Sequence, residues 1–137
     1  MTKPYTGGCA CGAIRYEISG EPVAAVDCQC RQCQHQTGAG HASYLTFAGA
    51  TRKIEGKAKT WEVAGDGGTV KSCAFCATCG SPVYIAFPAN PDVIAVRAGS
   101  LDDPSRYAPQ FVTWHAAGQV WDHLDPALPK FDKMPPA

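Results

Sequence analysis

The hydrophobic and polar positions of this chain alternate in short runs with a period of two. Residues 13–18 (Ala-Ile-Arg-Tyr-Glu-Ile) are one example, and glycine or proline separates such runs from one another. This period is typical of a β-strand with one buried face. Further strands are predicted at residues 23–26, 42–48, 52–56, 60–63, 69–75, 82–87, 93–97 and 111–114. No long stretch has the period of an amphipathic helix, so the pattern predicts a mainly β fold of many short strands.

The length and charge of the chain narrow the expected organisation and partners. We expect a single domain over residues 1–137, with a proline-rich tail from Asp125 to Ala137 that runs over the surface. The 12 basic and 12 acidic side chains balance, so no basic stripe predicts a nucleic-acid partner. No run approaches the roughly 20 apolar residues of a membrane span. No secretory signal follows Met1, and we expect a cytoplasmic protein without a membrane partner.

Seven of the eight cysteines fall into three short motifs. These motifs are Cys9-x-Cys11, Cys28-x-Cys30-x-x-Cys33 and Cys76-x-x-Cys79. Loops of this length make poor disulfides, and a reducing cytoplasm disfavours disulfides in general. They are typical of zinc-binding knuckles. The spacing therefore predicts zinc as the cofactor.

The central motif supplies three ligands and the remaining two motifs supply four. In an extended segment Cys28 and Cys30 point to the same side, and a turn at Arg31-Gln32 would bring Cys33 back toward them. Three sulfur atoms at about 2.3 Å from zinc would occupy three corners of a tetrahedron. The economical partition then places a closed structural zinc on the other four thiols, which are those of Cys9, Cys11, Cys76 and Cys79.

The sequence leaves open whether a fourth residue completes the central motif as a metal site. Cys73, His35 or His41 could complete a second closed site. Cys73 is also well suited to be a small buried apolar residue. If none of the three coordinates, the site keeps an open position, as catalytic zinc sites do.

The cysteine motifs, their order and their spacing resemble those of the glutathione-dependent formaldehyde-activating enzyme family (the CENP-V/GFA domain). The matching stretches are Gly8-Cys9-x-Cys11-Gly12, Cys28-x-Cys30-x-x-Cys33 with Thr37-Gly38-Ala39, Phe75-Cys76-x-x-Cys79-Gly80-Ser81, and the segment from Trp114 to Pro135. The resemblance implies an Mss4-like fold of short antiparallel strands with zinc knuckles. It also implies a structural zinc on Cys9, Cys11, Cys76 and Cys79, and a catalytic zinc on Cys28, Cys30 and Cys33.

Two classes of function follow from these observations. The resemblance implies a zinc-dependent carbon–sulfur lyase that adds glutathione or a similar thiol to formaldehyde or another small aldehyde, or cleaves such an adduct. The alternative is a non-catalytic zinc-stapled module that binds a protein, with both metals structural. No set of residues predicts where the carboxylates of glutathione would bind, and Arg31, Arg52 and Arg97 are candidates by charge alone.

Overall fold

A computed structural model describes residues 3–136 as a β-rich chain with one short α-helix. The strands are β1 (Tyr5–Gly8), β2 (Arg15–Ser19), β3 (Ala24–Cys28), β4 (Ala42–Ala48), β5 (Thr51–Glu55), β6 (Lys59–Ala64), β7 (Val70–Phe75), β8 (Pro82–Ala86), β9 (Val93–Arg97) and β10 (Phe111–Thr113). The helix α1 spans Arg31–Thr37, and 3₁₀ turns lie at Ala98–Ser100, Pro104–Arg106 and His115–Ala117. The predicted mainly β class is confirmed. No helix among these residues has the length and apolar character needed to cross a bilayer.

The strands form two sheets. The smaller sheet has the antiparallel order β1-β2-β5, and the larger sheet has the order β10-β3-β4-β9-β8-β7-β6. All neighbours in the larger sheet are antiparallel except β10 and β3, which run parallel and place Thr113 opposite Cys28. The parallel pair is possible because β3 and β10 are far apart in sequence and the whole of the chain from α1 to β9 forms the connection between them.

Two apolar clusters fill the interior. One cluster packs the smaller sheet against the larger one and includes Ile18, Phe47 and Val83, each fully buried. The other cluster surrounds the central cysteine motif and includes Ile85 and Ala95. The second cluster is the one that positions the site described below.

Local chain geometry differs from the sequence-based expectation at two places. The expected turn at Arg31-Gln32 is the start of α1, because the Cys30 Sγ atom caps the helix by accepting a hydrogen bond from the Cys33 N–H at 3.2 Å. β1 escaped prediction because two of its four residues are glycines. A Cβ atom at Gly8 would lie 2.0 Å from the Ile14 carbonyl oxygen, so the close approach of the chain there requires glycine.

The C-terminal segment lies along β10. The Phe131 N–H donates to the Val112 carbonyl and the Val112 N–H donates to the Pro129 carbonyl, both at 2.9 Å. The Trp114 N–H donates to the Lys133 carbonyl at 3.0 Å. These bonds bring the tail to the edge of the larger sheet, where it reaches the site built on β3.

Candidate metal centre

Four thiols from two separate turns meet in one cluster. Their Sγ atoms all lie within 4.8 Å of one another, and they belong to Cys9, Cys11, Cys76 and Cys79. Each turn closes with a glycine in the left-handed region, Gly12 at φ 83° and Gly80 at φ 77°. In that region a side chain is strained, so glycine is favoured at both positions. The cluster joins two segments that lie 65 positions apart in sequence.

Backbone N–H groups point at the sulfur atoms of this four-thiol cluster. The Ile14 N–H donates to the Cys9 Sγ at 3.2 Å, and the Thr78 N–H donates to the Cys76 Sγ at 3.4 Å. The hydrogen bond from Ile14 lowers the pKa of the Cys9 thiol. Hydrogen bonds from Ser81 lower the pKa of the Cys79 thiol to about 5. At Cys9 and Cys79 the surroundings thus favour the thiolate form that zinc requires, whereas contacts with the other three thiols raise the pKa of Cys11 to about 11.

The three thiols of Cys28, Cys30 and Cys33 form a second cluster, and their Sγ atoms also lie within 4.8 Å of one another. Cys28 ends β3, Cys30 caps α1 and Cys33 lies in the first turn of that helix. The junction of a strand and a helix therefore brings the three sulfur atoms together. Cys33 is only 1% exposed, whereas Cys30 is half-buried and faces the solvent side.

The pKa values of the three thiols differ from one another. Hydrogen bonds from Cys28 and from Cys33 hold the pKa of the Cys30 thiol well below its usual range. Contacts with Cys28 and with Cys30 raise the pKa of Cys33, and its burial raises it further. Cys30 is therefore the thiol of this cluster that ionises most readily.

None of the three residues considered as a fourth ligand joins this cluster. Within residues 3–136, no Cys, His, Asp or Glu ligand atom other than the three thiols lies within 4.8 Å of all of them. Cys73 is buried on β7 among apolar residues. His41 donates from Nδ1 to Asp122 at 2.9 Å, and His35 is exposed on α1. The second cluster thus offers three candidate ligands where the first offers four.

A tyrosine and an arginine lie directly behind the three-thiol cluster. The Tyr44 hydroxyl is 3.1 Å from the Cys33 Sγ, and the Arg97 Nη1 donates to the same hydroxyl at 3.1 Å. Burial raises the pKa of Tyr44, so the hydroxyl keeps its one proton, and both the Cys33 Sγ and the Gln36 Oε1 atom at 3.3 Å lie within reach of it. Arg97 is 6% exposed and, among residues 3–136, has no carboxylate within 4.0 Å. A buried cation without a carboxylate is costly, and the neutral acceptors that Arg97 finds are the Tyr44 hydroxyl and the Gln36 Oε1 atom, the latter at 2.8 Å from its Nη2.

A second hydrogen-bond chain holds the backbone between Cys28 and Cys30. Gln29 is 2% exposed, and its Nε2 donates to the Asp122 Oδ2 at 3.0 Å while its Oε1 accepts from the His115 Nδ1 at 2.8 Å. Asp122 also accepts from His41. Sequence reasoning did not identify Asp122, because it lies in an irregular segment 93 positions from Gln29.

The three-thiol cluster opens onto a cavity of about 560 Å³, here called the triplet cavity. Its floor is formed by buried residues of the larger sheet, Tyr44, Ile85 and Ala95. Of the three arginines proposed by charge, Arg31 lies at its rim. Arg97 lies behind Tyr44, and Arg52 donates to the Pro91 carbonyl away from the cavity. A second cavity of about 590 Å³ lies next to Cys9 and is bordered by no thiol of the second cluster.

Comparison with known proteins agrees with this site. The family model described as "Glutathione-dependent formaldehyde-activating enzyme" matches residues 4–117, which include all eight cysteines. The chain belongs to this family. The resemblance drawn from the cysteine motifs is thereby confirmed. A crystal structure of a Rhodobacter sphaeroides protein is similar in fold, with a TM-score of 0.53 and 23% sequence identity over 71% of this chain and 87% of that one.

Proposed function

We propose that the protein is a zinc-dependent carbon–sulfur lyase that adds a thiol, glutathione or a similar compound, to formaldehyde or another small aldehyde, or cleaves such an adduct. The observation that carries the proposal is the contrast between the two clusters. One has four thiols, and the other has three thiols that face a cavity large enough for a small substrate. We expect this reaction to take place in the cytoplasm.

The donor set fits zinc in both clusters. Thiolates are ligands that zinc prefers, and four or three of them within 4.8 Å match a structural and a catalytic site respectively. When bound at Cys28, Cys30 and Cys33, zinc would supply Lewis acidity and lower the pKa of a thiol that enters the cavity. We assign these three cysteines the catalytic metal, and Cys9, Cys11, Cys76 and Cys79 the structural one.

The chain itself contributes orientation and charge. α1 and β3 fix the three sulfur atoms, and the Tyr44 hydroxyl forms a hydrogen bond with the Cys33 Sγ at 3.1 Å. The buried floor offers the reacting carbon an apolar surface on one side. In the reaction the substrate sulfur forms a bond to the aldehyde carbon, the C=O bond becomes a single bond, and the carbonyl oxygen takes up the proton that the thiol loses. No oxidant or reductant is required.

A pair of cysteine substitutions tests the proposal. We expect the purified protein to carry two zinc ions by elemental analysis, one of which a mild chelator removes without loss of the fold. Cys28→Ser should abolish catalysed exchange between glutathione, formaldehyde and their adduct, measured by exchange NMR, while leaving the protein folded. Cys76→Ser should instead destabilise the protein, because it breaks the link between two distant turns.

The outcomes separate the enzyme from a binding module. Full exchange activity in Cys28→Ser would refute the lyase proposal. If both zinc ions leave only as the protein unfolds, and Cys28→Ser unfolds it as much as Cys76→Ser does, then both metals are structural and the protein-binding module is the better description.

A further inference from the structure

The triplet cavity is much larger than formaldehyde requires. Formaldehyde has two non-hydrogen atoms and is comparable in size with one or two water molecules, each of which takes up about 30 Å³ in the liquid. The cavity measures about 560 Å³, in the range of sites that bury most of a drug-sized ligand. A one-carbon aldehyde would occupy only a small part of it and leave the rest to the thiol and to water.

The inner wall of the cavity is apolar. Ile85 and Ala95 are buried in the floor, and Val26 and Phe87 pack beside them in the same apolar cluster as the three cysteines. Water gains few hydrogen bonds against such a wall, so an apolar group that displaces it is favoured by about 25 cal/mol per Å² of buried surface. The polar groups of glutathione, two carboxylates, an amine and two amides, match this wall poorly.

One residue in this wall, Trp114, has a strained backbone conformation. Trp114 is the only residue other than glycine with a positive φ among residues 3–136, at 56°. The Lys133 carbonyl accepts its N–H at 3.0 Å and helps to fix this conformation. An unfavourable φ at a large side chain is retained where the surrounding structure enforces it, and such residues cluster at ligand sites. Here the result is an indole on the wall of the cavity, near Met134 from the C-terminal segment.

The rim differs from the wall in charge. Arg31 is exposed at the rim and Lys71 is half-buried there, and neither lies within 4.0 Å of a carboxylate among residues 3–136. Asp66 at the tip of the β6–β7 hairpin also borders the rim. The two cations can attract the carboxylates of an anionic thiol such as glutathione while its sulfur reaches the three-thiol cluster. The apolar wall then remains for the other reactant.

From this division we propose that the aldehyde partner carries an apolar chain or ring of several carbons, which lies against Ile85, Phe87 and Trp114, and that formaldehyde is not the preferred substrate. This inference rests on the proposed lyase function and names its substrate class. The reaction is the same addition, in which the sulfur bonds to the aldehyde carbon and the aldehyde oxygen takes the proton. The product is a thiol adduct with an apolar substituent on that carbon.

Stable analogues of the adduct test the proposal without turnover. S-hexylglutathione differs from the adduct of glutathione and hexanal only in lacking the hydroxyl group, and S-methylglutathione is the corresponding analogue for formaldehyde. Isothermal titration of the zinc-loaded protein should show the hexyl compound binding at least about tenfold more tightly, because each buried methylene adds about fourfold. Equal affinities, or no measurable binding of either compound, would overturn the proposal.

A matched pair of variants locates the chain in the cavity. Met134→Asp places a carboxylate on the apolar wall, and Val120→Asp places one elsewhere; the two side chains are 63% and 93% exposed, so neither change should unfold the protein. Met134→Asp should reduce the preference for the hexyl compound several-fold, and Val120→Asp should leave it unchanged. Equal loss in both variants, or in neither, would contradict binding at this wall.

Exchange NMR on the wild-type protein separates this inference from the lyase proposal. With glutathione as the thiol, the proposal expects faster catalysed exchange for hexanal or benzaldehyde than for formaldehyde. Faster exchange for formaldehyde would overturn the inference and leave the lyase function in place. An absence of catalysed exchange with every aldehyde would instead refute the lyase function, whatever the binding preference.

Discussion

Replacement of Tyr44 by phenylalanine is the most direct test of the hydrogen bonds behind the three-thiol cluster. The substitution removes one oxygen atom, which lies 3.1 Å from the Cys33 Sγ and accepts the Arg97 Nη1 at 3.1 Å. A hydrogen bond to a charged group contributes about 1.5–3 kcal/mol. If zinc binds at Cys28, Cys30 and Cys33, loss of this bond to the thiolate should weaken its binding by roughly 10- to 150-fold, which agrees with the effect of removing an outer partner of a metal ligand.

Competition with a chromophoric chelator measures this change, because the two zinc ions of one chain are expected to leave at different chelator concentrations. Tyr44→Phe should shift only the weaker transition. Tyr16→Phe is the matched control, since Tyr16 is equally buried and its hydroxyl bonds to the Ser100 Oγ at 2.7 Å, with no thiol contact. An unchanged weaker transition in Tyr44→Phe, or an equal shift in Tyr16→Phe, would refute the role given to Tyr44.

Two further predictions concern the supports of the same cluster. Gly38→Ala should lower the stability of the protein by about 1 kcal/mol, because Gly38 ends α1 at φ 72° and this left-handed conformation is strained for alanine, although no neighbouring atom would contact the new Cβ atom. The control Gly99→Ala also has open space but an ordinary φ, so it should change the melting temperature little. Asp122→Ala should cost about 1–3 kcal/mol in urea unfolding, because the buried Gln29 Nε2 loses its acceptor. His123→Ala, a neighbouring exposed change, should have little effect, and a similar loss in both variants would contradict the role of Asp122.

The sequence predicted the strands well because one-sided burial leaves a period of two. The expected strand at residues 42–48 coincides with β4, and the one at residues 93–97 coincides with β9. The glycine-rich stretch 65–68 joins β6 to β7, as its composition indicates. Residues 52–56 and 60–63 were also predicted as strands, but β5 and β6 belong to different sheets. Local patterns identify a strand, but they do not identify the sheet in which it pairs.

The partners of the thiols were harder to predict because they depend on strand register. Tyr44 and Arg97 lie opposite each other in the antiparallel pair β4–β9, 53 positions apart in sequence. In the sequence, Arg97 is a single cation at the end of an apolar run, which is also typical of a strand that reaches solvent. Its burial follows from the pairing of β9 between β4 and β8 in the middle of the larger sheet. The position of Arg97 at the end of an otherwise buried strand is the one sequence signal that could have indicated its burial.

The two cysteine clusters differ in exposure in a way that bears on their roles. Cys11 and Cys79 are exposed, so the four-thiol cluster lies at the surface, and its four thiols would complete the coordination of a tetrahedral metal. Cys28 and Cys33 are buried, yet the triplet cavity gives access to their cluster from solvent. Chemistry on an aldehyde carbon needs a dry site with access for two reactants, whereas a structural staple needs neither. The three-thiol cluster combines buried cysteines with an open cavity in front and the buried Arg97 behind. The burial of its cysteines therefore supports a reactive site.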